Sequence, residues 1–157
     1  MKKVLIIFIP LLFLFLDLTS CSISKSSNND IFQFKNSYIG NNSAVGSIIK
    51  QLPNHKEFIK MSLQTKKKPY GMMIDYHNLP ANTKNIVINN ATYLFALVKN
   101  VEWITFDFAD KNYTMTRQQL NEWYGKDVSS YTNEKDLEEL IHTNLKEKSK
   151  INQLFIK

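Results

Sequence analysis

The sequence predicts an α+β domain: tandem helix-strand-strand units forming a four-stranded antiparallel sheet with helices packed on it, followed by two C-terminal helices. Three observations predict it. Two stretches carry apolar residues at the i, i+3, i+4, i+7 spacing of a buried helical stripe, and each leads into an alternating strand. Those strands, EFIKMSL at 57–63 and EWITFDF at 102–108, align with one another. Each is followed by a turn and a second extended segment, KKKPYG into MMIDYH and ADKN into YTMT, with Asp, Asn, Pro or Gly where a tight reversal needs them.

Taken in order, Asn41 or Asn42 caps the first helix, whose stripe is Val45, Ile48, Ile49 and Leu52 and which Pro53 ends. Asn90 caps the second, with Leu94, Leu97, Val98 and Val101 at the same offsets; Tyr93 and Phe95 lie off its stripe and mark it as the more central helix. Alternation turns Ile59, Met61 and Leu63 toward the helices, with Met72, Ile74 and Tyr76, then Ile104, Phe106 and Phe108, and Tyr113 and Met115. Lys60, Ser62, Gln64, Met73, Asp75, His77, Trp103, Thr105 and Asp107 fall on the opposite face. Thr116 and Gln119 form a capping box for RQQLNEWY, and Gly125 is its stop. Asn133 opens a further helix with Leu137, Leu140, Ile141 and Leu145 along one side, covering either the second sheet face or the flank of the second helix; Leu154, Phe155 and Ile156 extend that packing.

The chain has 157 residues, 43% of them apolar, with ten Phe and seven Tyr against four Gly and four Pro, enough for one real core plus an extension at an end. Its single cysteine excludes an internal disulfide and an all-cysteine metal site. The extension is N-terminal. Lys2 and Lys3 precede an uncharged apolar run from Val4 to Leu16 that Asp17 stops; a spanning helix needs about 20 residues, so a signal peptide fits better than a permanent anchor. Leu18, Thr19, Ser20 and Cys21 then resemble the bacterial lipobox, in which the cysteine thiol carries diacylglyceryl, although Asp17 stands unusually close to the cut. Residues 1–20 thus read as a lipoprotein signal peptide, 21–30 as the lipidated cysteine and a polar tether, SISKSSNND, and 31–157 as one domain. Two acyl chains give stable anchorage where one is marginal. The expected location is the extracytoplasmic face of the cell membrane.

With 20 basic and 14 acidic residues the formal net charge is +6. Arg117 is the only arginine, and nucleic-acid readers lean on arginine's planar fork, so no nucleic-acid partner is expected. Lys66, Lys67 and Lys68 stand before Pro69 at a hairpin tip, where they read either as a solvated turn that discourages aggregation or as a contact for anionic lipid. Nothing in the sequence points to a homo-oligomer. A two-domain solute receptor is also disfavoured, because one domain leaves no interdomain cleft.

The segment FQFKNSYIGNNSAVGSIIKQLP at 32–53, with ATYLFALV, ITFDF and the residues Thr116, Arg117, Tyr124 and Gly125, resembles a domain-of-unknown-function family of small Gram-positive lipoproteins. In some members that domain is appended to membrane metallopeptidases of the β-lactam-sensor type. The resemblance covers about residues 31–145 and implies an extracytoplasmic module that senses or binds a partner; it implies no catalytic residue, and the chain lacks any peptidase portion.

Catalytic motifs are absent: no His-Glu-x-x-His, Gly-x-Ser-x-Gly, P-loop or dinucleotide fingerprint occurs, and no cofactor is expected. Asp75 and His77 share a strand face, where they read as solvated polar residues or, in the alternative of a small envelope hydrolase or metal-dependent enzyme, as the start of a site. Glu138 and Glu139 precede His142 on one helix, as in half of a di-iron motif or as an ordinary surface pair. Arg117 directly follows a helix cap, where its charge opposes the dipole, so it reads as a structural partner to another element or as an anion contact. Trp103, Asp107, Asp75 and His77 are the candidate partner-binding residues, with Trp103 either exposed or buried beneath the C-terminal helices; an envelope protein is the expected partner.

Overall fold

A computed structural model of the chain describes residues 30–78 and 80–155; the signal peptide, Cys21, the tether up to Asn29 and Ile156 lie outside the described residues. After a 3₁₀ turn at Ile31–Phe34 come α1 (Asn42–Ile49), β1 (Phe58–Gln64), β2 (Gly71–Tyr76), α2 (Thr83–Leu97), β3 (Trp103–Phe108), β4 (Lys111–Thr116), α3 (Arg117–Tyr124), α4 (Glu134–Asn144) and α5 (Lys148–Leu154). Helix, strand, strand therefore occurs twice, and the class is α+β. Asn41 caps α1 by accepting from the Ala44 N–H at 3.1 Å. The Thr116–Gln119 capping box opens α3, Gly125 ends it at φ 71°, and Asn133 caps α4 through the Asp136 N–H.

The strands lie in the order β1-β2-β3-β4, and the sheet is mixed. The two hairpins are antiparallel as the sequence reading expects, but the central β2–β3 pair is parallel. The cause is the connection. Helix α2 has 15 residues, a rise of ~22 Å at 1.5 Å per residue, so it carries the chain back along the sheet and β3 enters in the direction of β2, as parallel neighbours require.

Helix α2 also begins earlier than read, at Thr83 instead of after Asn90. Asn90 is fully buried in mid-helix, and its Nδ2 donates to the Pro53 carbonyl at 3.0 Å and to Tyr76 Oη at 3.4 Å. A polar side chain that looks like a cap in the sequence is thus satisfied by tertiary partners, and the helix runs through it. Val98 and Val101 are buried but lie past the helix end. Ile59, read as inward, is 47% exposed, because the β1–β2 register shifts between Phe58 and Lys60 and Phe58 takes the inward place opposite Tyr76. A bulge of this kind on an edge strand bends the rim away from further pairing. Beyond α3 and α4, the C-terminus adds α5, which places Phe155 edge-on to Tyr113 at 5.5 Å.

The core lies between the sheet and the helices. Met72, Ile74, Ile104, Phe106 and Phe108 are wholly buried, and so is the α2 face carrying Val87, Ile88, Leu94 and Phe95. At one end of the inward face an aromatic row crosses all four strands: Phe58, Tyr76, Phe108 and Tyr113, with Tyr76 stacked on Phe108 at 5.2 Å. Burial pushes the Tyr76 phenol up to about 12, partly offset by its bond from Asn90.

The C-terminal end of α2 is held by side chains from elsewhere. Arg117 Nη1 donates to the Phe95 carbonyl at 2.7 Å, Nη2 to Val98 at 2.6 Å and Nε to Val101 at 3.0 Å. Lys35 Nζ donates to the Ala96 and Ser129 carbonyls, each at 2.7 Å, and the Ser37 N–H donates to Leu97 at 3.1 Å. The four carbonyls from Phe95 to Val98 are all engaged by donors from outside the helix. Two cations at the negative end of the dipole add to the bonds they make. Arg117 is therefore a structural partner of α2, as one of its two sequence readings has it, and its guanidinium stacks on Phe95 at 5.2 Å.

Candidate functional site

The outward face of the sheet is built from three cross-strand rows. Gln64, Gly71, Trp103 and Thr116 form one, Ser62, Met73, Thr105 and Thr114 the next, and Lys60, Asp75, Asp107 and Asn112 the third. Met73, Asp75, Thr105 and Asp107 keep part of their surface in solvent, in contrast with the fully buried residues that alternate with them. The face is open.

Trp103 is half-buried at the end of this face that adjoins the β1–β2 turn. Its indole lies over Gly71, where a Cβ would stand 2.0 Å from Trp103 Cε2, so only a residue without a side chain leaves room for it. Trp103 Nε1 donates to the Pro69 carbonyl at 3.1 Å, and the Glu102 N–H donates to the Tyr70 carbonyl at 2.8 Å. These bonds fix the root of the turn whose tip carries the exposed Lys66, Lys67 and Lys68; Lys68 Nζ sits 5.9 Å from the Tyr70 ring centroid. The aromatic candidate and the lysine cluster thus form one continuous patch. Gly71 is the residue that sequence reasoning missed, and its signal was the register that sets a glycine beside a tryptophan.

Asp75, Asp107 and His77 do not converge with Trp103. Four positions along β3 separate Trp103 from Asp107, ~13 Å at strand spacing, which puts the aspartates toward the other end of the face. Asp75 pairs there with Lys60 Nζ at 3.4 Å. His77 lies past the end of β2, exposed, with its backbone N–H donating to the Glu57 carbonyl at 2.9 Å. Among the described residues no group of three His, Cys, Asp or Glu gathers in a geometry for a metal ion.

A second concave region lies on the helix side. Between α2, α4 and the loop after α1 runs a groove of about 890 Å³ that includes Tyr93, Glu134, Glu138, Glu139 and His142. Tyr93 Oη lies 3.4 Å from Glu134 Oε1 and 3.5 Å from Glu138 Oε1. Burial and the neighbouring Glu138 carboxylate hold the Glu134 carboxyl above its ordinary value, and burial with both glutamates raises the Tyr93 phenol strongly. The sequence reading paired Glu138 and Glu139 with His142; the structure instead turns Glu138 toward Tyr93, because Glu134 and Glu138 share a helical stripe that faces α2. Among the described residues no helix is long and apolar enough to cross a membrane.

These features define a small α+β domain with one sheet face under helices and the other uncovered among the described residues. The chain belongs to the family described as Domain of unknown function (DUF4825), whose model matches residues 31–119. No curated protein and no solved structure matches the chain.

Proposed function

We propose that this protein is a non-catalytic binding module of the bacterial cell envelope, held on the extracytoplasmic face of the membrane by lipid on Cys21, and that it binds through the patch formed by Trp103 and the Lys66–Lys68 tip. The observation that carries this reading is the bond from Trp103 Nε1 to the Pro69 carbonyl at 3.1 Å, which joins an accessible indole to a cluster of three lysines. An indole with an apolar body and a polar tip suits a boundary between water and a less polar phase. Lysines near an anionic leaflet add about 1 kcal/mol each. A domain already tethered nearby needs no more than that to settle one face on the surface.

Two measurements test the reading. In cell fractionation the wild-type chain should sediment with membranes, and Cys21→Ser should release it or leave it unprocessed; a wild-type mature chain that starts elsewhere and stays soluble rules out the anchor. In flotation with phosphatidylglycerol vesicles, a chain starting at Ser22 should bind at low salt, since exposed charges are screened over about 8 Å at physiological ionic strength. The triple change of Lys66, Lys67 and Lys68 to Gln should abolish binding, and Trp103→Ala should weaken it at every salt concentration. Turnover of a wall fragment or ester that His77→Ala removes would replace this reading with the enzymatic one.

A further inference from the structure

The groove between α2 and α4 carries an inference independent of the sheet face. Its accessible apolar lining includes Pro53, which is exposed, and Leu145, which is half-buried, with Leu52 and Ile141 buried behind them. Its volume of about 890 Å³ lies within the range of about 300–1,000 Å³ typical of ligand pockets. Glu134 and Glu138 stand on its α4 wall around Tyr93 Oη. A phenol has one proton to donate, so one carboxylate accepts it and the other faces an oxygen lone pair. Neither glutamate is ion-paired, since Lys60–Asp75 is the only salt bridge among the described residues. The groove's α4 wall thus carries three carboxylates, Glu134, Glu138 and Glu139, against one lysine, Lys135, an acidic excess set into a chain whose net charge is +6.

We propose that this groove docks a basic peptide segment of a partner protein, with one lysine or arginine side chain entering between Glu134 and Glu138 and adjacent apolar side chains resting on Pro53 and Leu145. Charge complementarity selects that occupant. An acidic segment would meet Glu134, Glu138 and Glu139 together, and a wholly apolar one would cover the carboxylates without a counter-charge, which is costly. A basic side chain supplies the cation and its flanking residues cover the apolar surface.

The test is fluorescence anisotropy with the full-length chain in detergent and a labelled nine-residue peptide alternating leucine and lysine, with an otherwise identical leucine–glutamate peptide as comparison. The lysine peptide should bind and the glutamate peptide should not. The Glu134→Gln/Glu138→Gln pair should weaken binding about tenfold, whereas Glu122→Gln on α3 should leave it unchanged. Tyr93→Phe removes the hydroxyl and keeps the ring, and should leave at least one carboxylate free to bind, so affinity should be kept or raised; this guards against a folding defect in the double variant. Equal affinity of wild type and the double variant overturns the proposal. So does binding that appears only after residues 22–29 are deleted, which would make the tether the occupant, or concentration-dependent self-association that the double variant abolishes while the peptide never binds, which would make it a second copy.

Discussion

Lys35 and Arg117 hold neighbouring carbonyls at the end of one helix, Lys35 Nζ on Ala96 and Arg117 Nη1 on Phe95, each at 2.7 Å. Two like charges share that end because the helix supplies acceptors for both. Burial and the nearby Arg117 bring the Lys35 ammonium below its ordinary value while Asp127 works in the opposite sense. Burial likewise lowers Arg117, against the pull of Glu102 and Asp127. The arrangement sets the first expectation.

Replacing Arg117 by Ala strips the Phe95, Val98 and Val101 carbonyls of their side-chain donor and should cost about 2–4 kcal/mol, as for other losses of a buried hydrogen-bond network. Arg117→Lys should recover only part of this, since a single ammonium cannot span three carbonyls as a planar fork does. Urea unfolding followed by circular dichroism measures both; an Arg117→Ala chain as stable as wild type would show that the helix end does not need it.

Asp127 makes the same region sensitive to acid. Burial works to raise its pKa, but the Ser129 N–H and hydroxyl, the Asn121 amide and the Arg117 charge outweigh burial and hold it below the ordinary value. A depressed carboxylate contributes stability that is fully present above its unfolded pKa of about 3.9 and is lost as pH falls through the folded one. The side chain is largely in solvent, so the effect should stay below about 1 kcal/mol. Asp127→Asn should lose that contribution at pH 7 and converge with wild type in acid, so that the acid limb of a plot of stability against pH flattens.

Gly71→Ala should displace the Trp103 indole, because the added methyl would occupy the place of its ring. The expected cost is about 1–3 kcal/mol. Read in a Trp123→Phe background, where Trp103 is the only indole, emission should shift to the red as the ring moves into water. An unchanged spectrum would mean that the indole does not rest on Gly71 in solution.

Glu138→Gln should lower the Glu134 titration midpoint, since the Glu138 carboxylate is one of the two main causes holding it up. A raised carboxyl pKa costs the folded state stability; the cost is complete above the folded value and disappears only below the unfolded one of about 4.3. The variant should therefore gain slightly on wild type at neutral pH and match it below about pH 4. Carboxyl carbon-13 titration of Glu134 reads the shift directly.

Periodicity made much of this legible. The Thr116–Gln119 box, Gly125 and the Asn133 cap are local chemistry that short sequence spans encode, and each stands where it was read. Asn90 was misread because its partners, Pro53 and Tyr76, are distant in sequence. Ile59 was misread because one bulged residue reverses the facing of everything before it. The parallel central pair was missed because hairpin logic was applied across a connection that contains a whole helix. Of the candidate surface, the sharing of one face by Trp103, Asp75 and Asp107 was legible; the contact of Trp103 with Pro69 was not, since no pattern within a strand reports where an indole turns its nitrogen.

The end of α2 also imposes an order in time on the chain. Its last carbonyls wait for donors that stand far apart: Lys35 and Ser37 are made before the helix, and Arg117 only after both strands of the second hairpin. A chain leaving the ribosome therefore holds α2 with its exit half-closed until residue 117 has emerged. A fragment stopped at Thr116 would contain all four strands and still be unfinished.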